Sequence, residues 1–262
     1  MKLPIYNCNG NGNSFVIILY SDSQQKSFFK TSIIKKLCLN NKKITDGLVL
    51  VNIKSCDIFI DYYNNDGSWE TLCLNGLRCV SLILNKRLDT KTINIICNNK
   101  VYKTKILKDD MILVELSKPV YKTKSIQVNN LIGHYIDVGA KHFVIEQKKI
   151  WPDDLKLTET CKKIRYNKAL FPDGINVNFF KIKNETTIEV KTYEKGIESL
   201  MQSCSSGSFA CAYHYFKKNL NIKDITIINP GGNYLCSFNI NNENNYIKSS
   251  GIIEYEKFYQ IY

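Results

Sequence analysis

No apolar run in the 262 residues approaches the roughly 20 that carry a helix across a bilayer; the longest, such as Phe15–Tyr20 and Val80–Leu84, are far shorter. No membrane role is therefore expected. Met1-Lys2-Leu3-Pro4 leads into Asn and Gly without the apolar core of a secretory signal, which makes the cytoplasm the expected address. Low-complexity tracts are also missing. So is any Walker or dinucleotide-binding pattern: Gly10 and Gly12 are spaced like the start of a nucleotide loop, but no glycine follows at the required place. Ten cysteines are present, yet neither Cys73/Cys79 nor Cys204/Cys211 has the short gap that puts two thiolates on one zinc ion. With no export signal they read as reduced thiols, and no metal is expected.

The formal charge of +12 raises the question of nucleic acid. Its distribution answers it. Lysines are scattered among Asn and Ile, and basic stretches are short pairs such as Lys35-Lys36 and Lys217-Lys218, as on a solvated basic surface. With 44% hydrophobic and 23% charged residues, the chain has the composition of an ordinary globular protein, long enough for two domains.

An approximate internal duplication organises that length. Gly12-Asn13-Ser14-Phe15-Val16-Ile17 resembles Gly139-Ala140-Lys141-His142-Phe143-Val144-Ile145, and Asp46-Gly47 resembles Asp173-Gly174. Cys73-Leu74-Asn75-Gly76 and Cys204-Ser205-Ser206-Gly207 both read C-x-[NS]-G. Three motifs recur in the same order. Between them lie short β-rich runs: Ser14–Tyr20, Leu48–Asn52, Cys56–Tyr62, Ile93–Cys97, Met111–Leu116 and Ile188–Tyr193. Each C-x-[NS]-G string instead opens a helix, with apolar residues inside it and bases (Lys86 and Arg87; Lys217 and Lys218) at its end.

The expected fold is α+β: two pseudo-symmetric domains, each a mainly antiparallel sheet around a central helix, with an active site in the cleft between them. The boundaries follow from Lys118-Pro119: residues 1–118 form a lobe with Cys73, residues 119–247 a lobe with Cys204, and 248–262 a C-terminal segment that could return to the first lobe.

A thiol beside the first turn of a helix sits near unpaired backbone N–H groups and the positive end of the dipole, which favours its thiolate. The same N–H groups suit a substrate carboxylate. Duplicated, the arrangement puts a sulfur on each side of one carbon: one thiolate removes the α-proton, the opposite thiol returns another, and the converging dipoles hold the enolate-like carboxylate. No cofactor is required. A cysteine-protease pairing with His134, His142 or His214 leaves the duplication unexplained.

The motifs resemble the diaminopimelate epimerase family over most of the chain. Asn9-Gly10-Asn11-Gly12-Asn13-Ser14-Phe15 is similar to H-G-L-G-N-D-F, Tyr63-Asn64-Asn65-Asp66-Gly67-Ser68 to F-N-A-D-G-S, and Cys73-Leu74-Asn75-Gly76-Leu77-Arg78-Cys79 to C-G-N-G-A-R-C. Further on, Val138-Gly139-Ala140-Lys141-His142 resembles V-G-N-P-H, and Phe171–Phe179 resembles F-P-x-G-x-N-V-N-F. Glu194-Lys195-Gly196 resembles E-R-G, Ser203–Gly207 resembles A-C-G-[ST]-G, and Pro230-Gly231-Gly232 matches P-G-G. The resemblance implies interconversion of LL- and meso-diaminopimelate, on the route to lysine and cell-wall precursors, without pyridoxal phosphate. It implies Cys73 and Cys204 as the acid/base pair, with His142 and Glu194 supporting the reacting centre. Leu74, Asn75, Ser205 and Ser206 would offer donors to the reacting end, and Asn13, Asn64, Asn176, Glu194 and Lys195 would contact the substrate's amino and carboxylate groups. A small-molecule amino acid is then the partner, with a homodimer as an option.

The resemblance implies that two departures fall at the far, non-reacting end of the substrate. Ala140 stands for the family's Asn and Lys195 for its Arg, a point charge for a planar fork. Leu74 and Ser205 replace the glycine after each Cys, so each would have to tolerate angles glycine allows. One extra residue separates Glu194 from Cys204. A sibling racemase for another amino acid, such as histidine, and a non-catalytic binding module on the same fold are the alternatives.

Overall fold

The computed structural model describes residues 2–20, 26–40, 43–55, 57–128, 130–239 and 244–260. Two compact units emerge, Met1–Glu115 with Lys248–Tyr262, and Leu116–Ile247. The architecture is α+β, with four α-helices among the described residues and mixed, mostly antiparallel strands. No helix among those residues is long and apolar enough to cross a membrane.

The first unit comprises β1 (Lys2–Gly10), β2 (Asn13–Tyr20), α1 (Thr31–Cys38), the short pair β3 (Leu39–Asn40) and β4 (Lys43–Ile44), β5 (Gly47–Lys54), β6 (Asp57–Asn64), β7 (Trp69–Glu70), α2 (Leu74–Leu88), β8 (Thr92–Cys97), β9 (Lys100–Ile106) and β10 (Met111–Leu116). The second comprises β11 (Val120–Val128), β12 (Leu131–Asp137), β13 (Lys141–Glu146), α3 (Asp154–Arg165), β14 (Asn176–Asn184), β15 (Thr187–Glu194), β16 (Ser199–Leu200), α4 (Ser205–Lys218), β17 (Asp224–Asn229) and β18 (Gly232–Ser237). The boundary falls within β19 (Asn245–Ser250), and β20 (Ile252–Gln260) belongs to the first unit. The expected β-runs fall in β2, β5, β6, β8, β10 and β15, with Cys56 outside the described residues.

Strand pairing repeats. β1 and β2 are antiparallel, β2 and β5 parallel, β5 and β6 antiparallel, β6 and β8 parallel, β8 and β9 antiparallel. In the second unit β12–β13–β14–β15–β17–β18 follow the same alternation. An added strand flanks each series, β20 against β1 and β11 against β12.

Each sheet has a helix on both faces, where a single central one was expected. α2 packs against β1, β2, β8, β9 and β20, and α4 against β13, β14, β15, β17 and β18. α2 is buried at every residue from Leu74 to Leu84, so the periodic polar stripe of a surface helix is missing. Each large aliphatic residue sequestered there contributes about 1.5–3 kcal/mol. On the opposite faces α1 closes a cluster with Leu3, Ile5, Val16, Ile18, Leu48 and Leu50, and α3 closes another through Leu157, Cys161 and Ile164. β2, covered on both sides, is buried at every residue but Ser14.

The duplicated Phe residues are not equivalent. A Cβ on Gly76 of α2 would lie 3.7 Å from the Phe15 ring, so Phe15 faces that helix. Phe143 points the other way, into the α3 cluster. The residue of β13 that faces α4 is His142, one position earlier, and a one-residue shift reverses the face in a strand.

Candidate active site

Cys73 and Cys204 occupy the same local position, each the N-cap of the helix packed inside its sheet, with extended backbone at φ −127° and −138°. Neither helix has an acidic residue in its first turn, and both end in bases, Lys86 and Arg87 or Lys217 and Lys218. The helix starts therefore present N–H groups with no acidic side chain of their own first turn to occupy them. Leu74 and Ser205 have ordinary negative φ, so the glycine of the family motif is not needed here for its conformational freedom.

The glycines that close the two motifs matter for approach. A Cβ on Gly76 would meet Val49 Cγ2 at 3.1 Å, and one on Gly207 would meet Asn178 Oδ1 at 2.1 Å. Gly10 similarly lets β1 lie against the Asn75 carbonyl, which a Cβ would approach to 2.9 Å.

In the first unit the half-buried Cys73 sulfur accepts the Gly76 N–H at 3.5 Å. Asn75 donates to Asn13 Oδ1, and its own Oδ1 accepts from Arg78 Nη2 at 2.7 Å. Arg78 is fully buried and also reaches the Leu74 carbonyl, the Ser250 carbonyl and Asn11 Oδ1. A buried guanidinium spread over several carbonyl-type acceptors keeps its charge hydrogen-bonded, and it fixes Asn75 in one orientation. Asn64, at the end of β6, donates to Ser68 Oγ at 3.1 Å.

In the second unit a buried chain of side chains ends on Cys204. Thr192 donates to Asn178 Oδ1 at 2.9 Å, which turns Asn178 Nδ2 onto His142 Nδ1 at 3.0 Å. With Nδ1 accepting, the proton of the neutral imidazole sits on Nε2, which donates to Ser206 Oγ at 3.0 Å. The Ser206 hydroxyl is left to donate to the Cys204 sulfur at 3.4 Å. Burial holds His142 neutral, its pKa lowered to about 4. Burial also pushes the Cys204 thiol up to about 12, helped by the nearby Glu194 carboxylate and opposed by Ser206 and the backbone N–H groups of Ser206 and Gly207. The helix start was expected to favour a thiolate. At Cys204 desolvation outweighs it, and this sulfur rests as a thiol.

Asn176 ties two strands: its Nδ2 donates to the Lys141 carbonyl at 3.0 Å and its Oδ1 accepts the Lys195 N–H at 2.9 Å. This amide thus links the residue that follows Ala140 to the backbone of Lys195.

Sequence reading missed Asn178, Thr192 and Arg78. Asn178 belongs to the quoted Phe171–Phe179 string and Arg78 to the Cys73 motif, so both were visible as polar residues within apolar runs; nothing local marks Thr192. Among the described residues no group of three or more His, Cys, Asp or Glu is arranged to hold a metal ion.

Comparison with known proteins gives the family. The family model described as diaminopimelate epimerase matches residues 134–252. The diaminopimelate epimerase of Flavobacterium psychrophilum is 31% identical over 249 residues, covering 92% of this chain and 92% of the relative. That of Aquifex aeolicus is 29% identical over 250 residues, covering 89% and 88%. A crystal structure of hydroxyproline epimerase from Agrobacterium vitis, with bound trans-4-hydroxy-L-proline, shares the fold at a TM-score of 0.73 and 11% identity, over 98% of this chain and 92% of that one. The chain thus belongs to the diaminopimelate epimerase family and is an amino-acid isomerase of that kind.

Proposed function

We propose that the protein inverts the α-carbon of LL-diaminopimelate to give the meso isomer, using Cys73 and Cys204 as a two-base pair and no cofactor. The observation that carries this reading is the pair of cysteine N-caps on two helices that lack first-turn acids. In the proposed reaction the two thiols act on opposite faces of one α-carbon, and the substrate carboxylate accepts the N–H groups of the helix starts. Cys204 rests as the acid, which leaves the role of base to Cys73. As Cys73 takes the α-proton, Cys204 delivers its own to the other face, and the Ser206 hydroxyl and helix N–H groups stabilise the sulfur anion that results. His142 acts through Ser206, while Glu194 disfavours an anion at Cys204 and so keeps the proton there until it is needed. Asn13, Asn64, Asn75, Asn176 and Lys195, with the backbone of Leu74 and Ser205, hold the substrate's polar groups. Reduced thiols are essential, which suits the cytoplasm.

A second reading, racemisation of a different amino acid such as histidine, is favoured by the two replacements at Ala140 and Lys195, the second of them held by the Asn176 amide that also binds the Lys141 carbonyl. Incubation in heavy water decides between them. Deuterium entering the α-position of LL-diaminopimelate with inversion, and lost in Cys73→Ala and Cys204→Ala, supports the first reading. Exchange with another amino acid but not this one moves the assignment to the second. No exchange across the panel, with ligand binding intact in both variants, overturns catalysis.

A further inference from the structure

The two units treat the outer faces of their sheets differently. In β14 and β15, Phe179 pairs with Lys191 and Lys181 with Glu189. The Trp151 indole covers this patch, donating Nε1–H to Glu189 Oε2 at 2.9 Å with Lys191 Nζ 5.4 Å from the ring centroid. The matching pairs in β5 and β6 are Leu50 with Asp61 and Asn52 with Phe59. There the described residues leave a cavity of about 380 Å³, walled by Tyr20, Phe59, Trp69 and Ile96, with Asn52 and Lys54 at its polar side. The corresponding connection between β2 and α1 carries Phe28 and Phe29, but both pack into the α1 cluster.

Three features define what the cavity would take. Asn52 is only 5% exposed, and its Oδ1 has no hydrogen-bond partner among the described residues. A buried acceptor left unmatched is costly, so the site favours an N–H donor. Lys26 is paired with Asp61 at 2.6 Å, whereas Lys54 lies 5.9 Å from the Phe59 ring centroid with no carboxylate partner among the described residues. That leaves one cation for an anionic group. The aromatic walls suit a flat ring, and the volume lies within the range of small-molecule pockets.

We propose that this cavity is a second small-molecule site, one that takes a planar heteroaromatic acid whose ring N–H donates to Asn52 and whose carboxylate meets Lys54. Such a ligand occupies the place that the Trp151 indole fills in the other half of the chain. The site is independent of the isomerase reaction.

Calorimetric titration with indole-3-acetate tests it on the full chain, using benzofuran-3-acetate, which lacks the N–H, and indole, which lacks the carboxylate. Indole-3-acetate is expected to bind wild type and Cys73→Ala equally. The benzofuran should bind about five- to tenfold more weakly, the effect of one lost hydrogen bond. Asn52→Leu should abolish that difference, Lys54→Gln should erase the preference for the acid over indole, and Ile96→Trp should block the cavity. Circular dichroism shows whether each variant is folded. Absence of binding at millimolar probe overturns the proposal, as does binding that is indifferent to Asn52→Leu and Ile96→Trp in folded protein.

Discussion

Replacing Ser206 by alanine removes one oxygen at the junction of the His142 and Cys204 contacts. The Cys204 sulfur loses its 3.4 Å hydroxyl partner, and the His142 Nε2–H loses the acceptor it meets at 3.0 Å. The hydroxyl favours the charged sulfur, so its removal raises the Cys204 pKa further above its already elevated value. A hydrogen bond to a charged group is worth about 1.5–3 kcal/mol, so the step that forms the Cys204 thiolate slows roughly 10- to 150-fold. Stranding the imidazole N–H costs about 1–3 kcal/mol of stability, or roughly 2–4 °C of melting temperature for each kcal/mol in a chain of this size. The assay is α-proton exchange and inversion starting from each stereoisomer. Because the substrate equilibrium is unchanged, kcat/KM must fall by one common factor in both directions. Ser206→Thr, which keeps the hydroxyl, should recover most of it. A folded Ser206→Ala protein with kcat/KM within twofold of wild type would refute the role given to this contact.

Thr192→Val conserves shape but frees the Asn178 amide to turn, moving the imidazole proton to Nδ1; nitrogen NMR of His142 should report the tautomer change, and activity should fall about tenfold from one lost contact of this type. Gly207→Ala drives a Cβ to 2.1 Å from Asn178 Oδ1, and should lower both the melting temperature and kcat by displacing Asn178. Stability should also fall on acidification. Burial depresses His142 to about 4 against 6.5 unfolded, so the unfolded chain binds the extra proton between those values, and stability present above pH 6.5 declines by about 3 kcal/mol as the pH approaches 4. His214, lowered by burial to about 3, acts with the same sign, and urea midpoints measured across this range should flatten in His214→Phe.

Local chemistry explains which features could be read in advance. The starts of α2 and α4 were legible because Cys, a small polar residue and Gly precede an apolar helical run, and because paired bases end it. α3 carries its own signals in the Asp153 cap and the spacing of Leu157, Cys161 and Ile164. α1 is only 8 residues long and rich in β-branched side chains, so its helicity depends on the sheet face it covers. Phe15 corresponds in facing to His142 rather than Phe143 because a sequence string carries no face label; the contact with Ser206 of α4 marks His142 as the inward residue. The protonation of Cys204 was misjudged for a related reason. The dipole is a property of the helix start, but burial is a property of everything packed around it.

The last strand has a consequence for synthesis. β20 lies along β1 from Lys2 to Asn9, so the opening segment of the chain waits for a neighbour made more than 240 residues later. The second unit, whose residues are contiguous from Leu116 to Ile247, is synthesised in between. Until β20 is made, the backbone groups on one edge of β1 stay open to any other extended chain, so the nascent protein is vulnerable to aggregation along that edge.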